Sequence, residues 1–148
     1  RSFTPFTLLV LDLDAFKGIN DTLGHDAGDA ALKEMADVLR DLARDSDLVG
    51  RLGGDEFAVL LTGTSERFVS TFRARLDAAL ERRNGEPDRA YALKASVGSA
   101  TWLPEYPASM ATLHRLADEA MYADKRARQQ TADAEGTPRT ADDRSALN

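Results

Sequence analysis

The chain has 148 residues and a mass of 16.1 kDa, which suits one domain with its own core and leaves little room for two. Hydrophobic residues make up 43% and charged residues 30%, a globular balance; with no cysteine and only His25 and His114, disulfides, thiolate metal sites, a cysteine nucleophile and a multi-histidine zinc centre are disfavoured. Lys and Arg number 19 against 25 Asp and Glu, a net charge of −6, which repels a phosphate backbone and argues against nucleic acid as a partner. No apolar run approaches the ~18 residues of a membrane helix. No signal peptide is visible, and a start at Arg1 rather than Met suggests a cut within a longer protein.

Residues 7–13, Thr-Leu-Leu-Val-Leu-Asp-Leu, form a short apolar run ending in acid, which predicts a buried strand. Gly18, Asn20, Asp21, Gly24 and Gly28 then interrupt the chain. This predicts a helical turn followed by a loop, with Asp26 or Asp29 capping the next helix. From Ala30 to Ala43 an apolar stripe recurs at helical spacing. Val49 to Leu52, Gly53-Gly54, two acids and Phe57 to Leu61 read as a β-hairpin. A helix is expected from Ser65, with Phe68, Phe72, Leu76 and Leu80 on one face and Asn84-Gly85 at its C-cap. Tyr91, Leu93, Ala95 and Val97 alternate with polar or small residues, which predicts a half-exposed strand. A loop is expected over 98–107. Ser109 then caps a last helix with a stripe of Met110, Leu113, Leu116, Ala117, Ala120 and Met121. Residues 131–148 carry no aromatic and one large aliphatic, Leu147, and read as a solvated tail or linker. The order suits an α/β or α+β sandwich with helices over a mixed or antiparallel sheet.

The acids are unusually placed. Asp12 and Asp14 end the first strand, and Asp55 and Glu56 occupy the hairpin turn. Two such clusters facing each other repel unless a cation joins them. Oxygen-only ligands favour magnesium or manganese, which bind phosphates through few carboxylates. Gly53 and Gly54 leave room for a base or phosphate against the backbone. Lys17 and Lys125 are the nearest cations for phosphates. Asn20 and Asp29 together offer an amide and a carboxylate for a purine edge, the carboxylate suiting the N1–H and amine of guanine. Each feature also has a plain reading. Asp-Leu-Asp can be solvation and a cap, Gly-Gly-Asp-Glu a hairpin turn, Lys125 a solubilising residue, His25 a loop residue with a structural hydrogen bond, His114 a surface residue, and Phe16 and Trp102 packing groups. The combination is more specific than any part.

That combination resembles a known family. Arg51-Leu-Gly-Gly-Asp-Glu-Phe57 carries the Gly-Gly-Asp-Glu-Phe signature of the GGDEF family, the diguanylate cyclases. Asp12-Leu-Asp-Ala-Phe-Lys-Gly-Ile-Asn-Asp21 resembles the family's Asp-x-Asp-x-Phe-Lys-x-x-Asn-Asp block, and Gly24-His-Asp-Ala-Gly-Asp29 its Gly-His-x-x-Gly-Asp block. Ser96-Val-Gly98 and Ala117-Asp-Glu-Ala-Met-Tyr-Ala-Asp-Lys125 are similar to later blocks. The order agrees over roughly residues 7–130, which delimits a domain over 1–130 and a tail over 131–148.

The resemblance implies a five-stranded, mainly antiparallel sheet surrounded by helices, of the nucleotidyl-cyclase or ferredoxin-like palm type. It implies condensation of two GTP into cyclic di-GMP with release of two pyrophosphates, across a homodimer. Asp12 and Asp55 would ligate two Mg2+ or Mn2+ ions per active site, helped by the Leu13 carbonyl and Glu56. Asp55, Glu56 and Lys17 would be catalytic, with Asp55 taking the proton of the ribose 3′-hydroxyl. Asn20 and Asp29 would read guanine. Lys17, Lys125 and the backbone N–H groups near Ala15 and Phe16 would hold phosphates, and Gly53 and Gly54 would leave room for the nucleotide. Arg44-Asp-Ser-Asp47 fits the family's Arg-x-x-Asp inhibitory site for cyclic di-GMP, with Arg51 as a third member; a plain helix-end ion pair is the other reading. An upstream sensory or receiver domain and a cytoplasmic location are implied, with any membrane anchor lying upstream.

The sequence departs from the family in three places. The Asp-x-Leu-Thr-Gly-Leu-x-Asn-Arg segment that usually precedes is absent, Ala15 replaces a frequent aromatic, and Gln129 stands at the position of the phosphate-binding arginine, with Arg126 and Arg128 as substitutes one turn aside. Asp29 is intact, which argues for guanine. Two functions remain open: an active cyclase, and a catalytically weak or inactive module that binds GTP or cyclic di-GMP and signals to a neighbour. A purely structural dimerisation domain gives no reason for so many acids at adjacent strand ends.

Overall fold

The computed structural model describes residues 4–63 and 66–134. The elements follow in the order β1 (Phe6–Leu13), α1 (Phe16–Leu23), α2 (His25–Leu42), β2 (Leu48–Gly53), β3 (Glu56–Thr62), α3 (Glu66–Asn84), β4 (Ala95–Trp102) and α4 (Met110–Ala134). The strands form one antiparallel sheet in the order β2-β3-β1-β4. The α+β class is as expected, with four strands among the described residues rather than five.

Strand alternation sorts side chains onto two faces. Leu9, Leu11, Leu13, Phe57, Val59 and Val97 face α1, α2 and α3, where Met35, Val38, Leu39, Phe72 and Leu76 close the larger core. Leu8, Val10 and Ala100 face α4 and meet Leu113, Ala117 and Met121. The smaller core leaves no space at Gly98. A Cβ there would collide with the Ala117 carbonyl oxygen and the Met121 amide of α4, so the helix backbone rests directly on the strand. Phe6 and Trp102 stack at 5.4 Å, and Phe16 packs against the larger core, so both expected packing aromatics do pack. Among the described residues, no helix is long and apolar enough to cross a membrane.

Three boundaries differ from expectation. The loop expected before Gly28 is helical, because α2 starts at His25. Neither Asp26 nor Asp29 caps it: Gly24, at φ 92°, is the N-cap without a side-chain hydrogen bond, and Asp26 lies in the first turn. Gly28 sits inside the helix because a Cβ there would collide with the Asn20 amide. The strand expected over 91–97 is β4, Ala95–Trp102. The Asn84 side chain takes both backbone groups of Leu93, donating to its carbonyl at 2.8 Å and accepting its N–H at 2.7 Å. That leaves nothing for a ladder there, and Gly98, expected to open a loop, lies inside the strand. Finally, α4 continues four residues past Gln130. Ser65 and the tail beyond residue 134 lie outside the described residues. Ser109 does cap α4, its Oγ accepting the Thr112 N–H at 3.1 Å.

Gly98→Ala is expected to cost about 1–3 kcal/mol by overpacking. Urea denaturation at neutral pH checks this; an unchanged midpoint would mean that α4 is not seated on β4 at this point.

Candidate active site

The site lies where β1 ends and the β2–β3 turn begins. The register opposes Asp12 to Glu56 on one side of β1 and to Ser96 on the other. One further bond closes the corner, as the Leu13 N–H donates to the Asp55 carbonyl at 3.2 Å. Both acid clusters are thereby fixed by backbone pairing. Gly53 and Gly54 have positive φ, and a Cβ on either would meet open space. Their lack of side chains therefore serves the turn and leaves the adjacent surface bare. Arg51 clamps the turn, donating to the Gly54 carbonyl through Nε at 2.9 Å and a terminal nitrogen at 2.6 Å.

Asp12 is the strained member. It is 8% exposed, and its Oδ2 accepts from Lys125 Nζ of α4 at 3.3 Å. Its Oδ1 is buried without a hydrogen-bond partner. Burial pushes the Asp12 carboxyl up from 3.8 to about 7, the neighbouring Asp55 carboxylate adds to the rise, and Lys125 opposes it. Burial lowers the Lys125 ammonium, but Asp12, and to a lesser extent Asp14 and Asp55, outweigh it and raise it. Asp14 is turned to β4 instead: its carboxylate accepts from Ser96 Oγ at 2.6 Å, and its N–H donates to the Lys94 carbonyl at 2.8 Å.

The following loop carries the next expected residues. Ala15 has a left-handed backbone (φ 57°) and is the N-cap of α1, a conformation that costs a residue with a side chain about 1 kcal/mol or more. Lys17 is exposed on the first turn of α1. Asn20 lies on the same helix, packed over Gly28. Asp29 lines a cleft of about 350 Å³ between α2 and β2, together with Leu32, Lys33, Arg51 and Phe57. That cleft joins the guanine-reading candidate to the signature hairpin.

Glu56 is drawn toward α4, with Oε1 3.0 Å from His114 Nε2. One ligand-type atom from each of Glu56, His114 and Asp118 lies within 4.8 Å of the others. His114 is thus an exposed helix residue with a partner, and His25 is the exposed first residue of α2.

The Arg-x-x-Asp pair stands apart, between α2 and β2. Asp47 is buried and accepts from the Arg44 N–H at 2.9 Å, from two Arg44 guanidinium nitrogens at 3.2 Å each, and from the Thr62 N–H at 3.3 Å. Burial alone would raise the Asp47 carboxyl, but these bonds outweigh it and hold it below the usual carboxylate range. Arg44 also donates to the Thr62 carbonyl at 2.9 Å and lies 4.9 Å from the Phe68 ring centre. The structure does not bring Arg51 to this pair, because Arg51 is held by the turn. Of the two substitutes for the arginine missing at Gln129, Arg128 is engaged by Asp124 at 3.1 Å and Asp77 at 3.7 Å, while Arg126 is exposed.

The family model described as "Diguanylate cyclase, GGDEF domain" matches residues 1–131. The chain belongs to the GGDEF family. It is 41% identical to diguanylate cyclase DosC of Escherichia coli K12 over 133 residues, covering 85% of this chain and 27% of DosC. The GGDEF domain of DgcB from Caulobacter crescentus, solved in complex with c-di-GMP, superposes with a TM-score of 0.74 at 32% identity over 84% of this chain and 74% of that one. Diguanylate cyclase SiaD of Pseudomonas aeruginosa, solved with its activator SiaC, gives 0.73 at 31% identity over 84% of this chain and 47% of that one. The chain thus spans less than a third of its curated relative DosC. Sequence reasoning missed Arg51 as the clamp of the turn and Asp124 on α4. Both are single charged residues: Arg51 meets a backbone carbonyl three residues on in the turn, and Asp124 meets Arg73 and Val97 of other elements, so periodicity carries no trace of either.

The raised Asp12 carboxyl predicts a pH effect. Between about pH 4 and pH 7 the folded chain keeps a proton on Asp12 that the unfolded chain has shed, so metal-free stability falls as pH rises through that window. Asp12→Asn should flatten this slope and stabilise the metal-free protein at pH 8 by at least about 1 kcal/mol, with no gain at pH 4. Chemical denaturation of both proteins across pH 4–8 checks it, and parallel curves would refute the assignment.

Proposed function

We propose that this domain is a diguanylate cyclase that condenses two GTP into cyclic di-GMP. The observation that carries the reading is the buried, unpartnered Oδ1 of Asp12 beside Asp55 in a corner built from oxygen donors. Such an arrangement fits a divalent cation, Mg2+ or Mn2+, and on this reading Asp12, Asp55, Glu56 and the Leu13 carbonyl would hold two ions per site. A cation bound there would supply charge neutralisation at the reacting phosphate and the leaving pyrophosphate.

The chain's own residues do the rest. Asp29 at the α2–β2 cleft and Asn20 on α1 orient guanine, with the Asp29 carboxylate accepting from N1–H and the exocyclic amine. Lys17, Lys125 and the N–H groups at the start of α1, near Ala15 and Phe16, receive the triphosphate. Asp55 takes the proton from the ribose 3′-hydroxyl. The freed oxygen forms a bond to the α-phosphorus of the second GTP, the bond from that phosphorus to the bridging oxygen breaks, and pyrophosphate leaves. The same step in the opposite direction closes the ring. Each domain presents one GTP, so a homodimer aligned face to face is required, and assembly is the natural point of control. A sensory or receiver domain acting on that assembly is the proposed source of control.

Arg44 and Asp47 form the inhibitory site for cyclic di-GMP. The guanidinium retains half-open access at 44% side-chain exposure, and the buried Asp47 fixes it at the domain surface. A second reading, a nucleotide-binding module without turnover, is favoured by Gln129 and by the engagement of Arg128 with Asp124 and Asp77, which remove the expected arginine from the phosphates.

Incubation of concentrated protein with GTP and Mg2+, followed by nucleotide chromatography, distinguishes the two. Cyclic di-GMP is expected, lowered at least about a hundredfold by Asp55→Ala or Asp12→Ala. Full activity in Asp55→Ala would sink its assigned role, and GTP binding with no product from wild type would establish the module. Arg44→Ala should leave the initial rate within about twofold and remove the slowing that accumulates with product; an unchanged progress curve would place inhibition elsewhere.

A further inference from the structure

α4 is fastened to the sheet one residue before Lys125. Asp124 Oδ2 accepts the backbone N–H of Val97 at 2.9 Å and Arg128 Nε at 3.1 Å, and Oδ1 accepts from a guanidinium nitrogen of Arg73 at 2.7 Å. Val97 belongs to β4, the last strand of the described sheet, so its outward N–H has no neighbouring strand to take it. An unmet donor in that buried position would be costly, and Asp124 meets it. Arg73 comes from α3 on the other face of the sheet, and Arg128 is held at the same time by Asp77 of α3. One carboxylate therefore joins α4, β4 and α3.

The clamp sits beside the site. Ser96, the residue before Val97, donates to Asp14, and Lys125, the residue after Asp124, donates to Asp12. Successive helix residues are turned by a fixed angle of about 100°. Holding the side chain of Asp124 to the β4 edge therefore fixes the rotation and height of the helix at Lys125. Gly98 against Ala117 and Met121 supports the helix one turn back, and the Arg128–Asp77 pair ties it to α3 on the far side. Lys125 is a long, flexible cation, and its value to a triphosphate depends on where its stem starts.

We propose that Asp124 is a positioning residue for the nucleotide site: by pinning α4 to the free edge of β4 it sets Lys125 beside Asp12, facing the substrate's phosphates. This rests on the assignment of Lys125 to the triphosphate made above. The test is a double-mutant cycle on the full chain, reading the Kd of Mg–GTP with Asp124→Ala, Lys125→Ala and the pair. Asp124→Ala should weaken binding about fivefold to tenfold, Lys125→Ala at least as much, and the double variant no more than Lys125→Ala alone. Asp124→Asn keeps an acceptor for Val97. It should recover most of the affinity and also keep the slow amide exchange of Val97 that Asp124→Ala loses. It serves as the test variant should Asp124→Ala not fold, and Arg73→Ala, which leaves the Val97 bond in place, should stay within about twofold of wild type. Additive losses in the pair, or a lower Tm with an unchanged Kd, would reduce Asp124 to a purely structural clamp and overturn the proposal. Wild type that binds no GTP would overturn the reading of the site itself, whether or not the Val97 amide is protected by Asp124.

Discussion

The constraint on which the structure turns is the crowding of carboxylates at the end of β1. Asp12 is buried with one oxygen unpartnered, next to Asp55, and among the described residues its cationic partner is Lys125. A fold selected only for stability would place an apolar or paired residue there. Here the antiparallel register delivers Asp12 opposite Glu56, and the Leu13–Asp55 backbone bond closes the corner, so the acids cannot separate without breaking the sheet. The cost is met by the two cores, which close on both faces of β1 and leave Leu9, Val10, Leu11 and Leu13 almost wholly buried. The molecule thus holds a charge arrangement that water would relax and that a cation with phosphate would satisfy.

Much of this is legible in the sequence. β1 and the hairpin announce themselves by short apolar runs bounded by acid and glycine, and α3 and α4 by their stripes. The elements that resist reading are those where tertiary contact overrides local preference. Gly28 and Gly98 look like breakers, yet each lies inside an element because something packs where its side chain would be: the Asn20 amide in one case, the backbone of α4 in the other. The start of β4 is displaced from Tyr91 to Ala95 because Asn84 takes the backbone of Leu93, a contact nine residues away that no alternation pattern contains.

The site divides the same way. Asp12, Asp55 and Glu56 share one corner and can be found from motif spacing alone. Arg51 and Arg128 could not be placed from the sequence, since a lone arginine has the same helical or strand neighbours whichever acceptor it finds. The fold assigns Arg51 to the Gly54 carbonyl and Arg128 to Asp124 and Asp77. Both assignments narrow the chemistry. The first stiffens the turn carrying Asp55. The second leaves Lys125 of α4 as the cation at the acid corner.

Distance constrains how the proposed inhibitory pair can act. Asp47 bonds Thr62 at one end of β3, and Glu56 begins that strand at the other. At about 3.4 Å per residue the two lie roughly 20 Å apart. A ligand held by Arg44 therefore cannot touch the reacting phosphates in its own domain. On the proposed reading the reaction needs two domains in register, and a ligand that fastens this surface against anything else prevents that approach without altering a single catalytic distance. Inhibition of this kind lowers the population of competent dimers rather than the quality of each site. It also explains why the Arg44–Asp47 pair can be fully formed before any ligand arrives: the pair has only to present a fixed guanidinium, and a rigid hydrogen-bonded mount loses less entropy on binding than a free side chain.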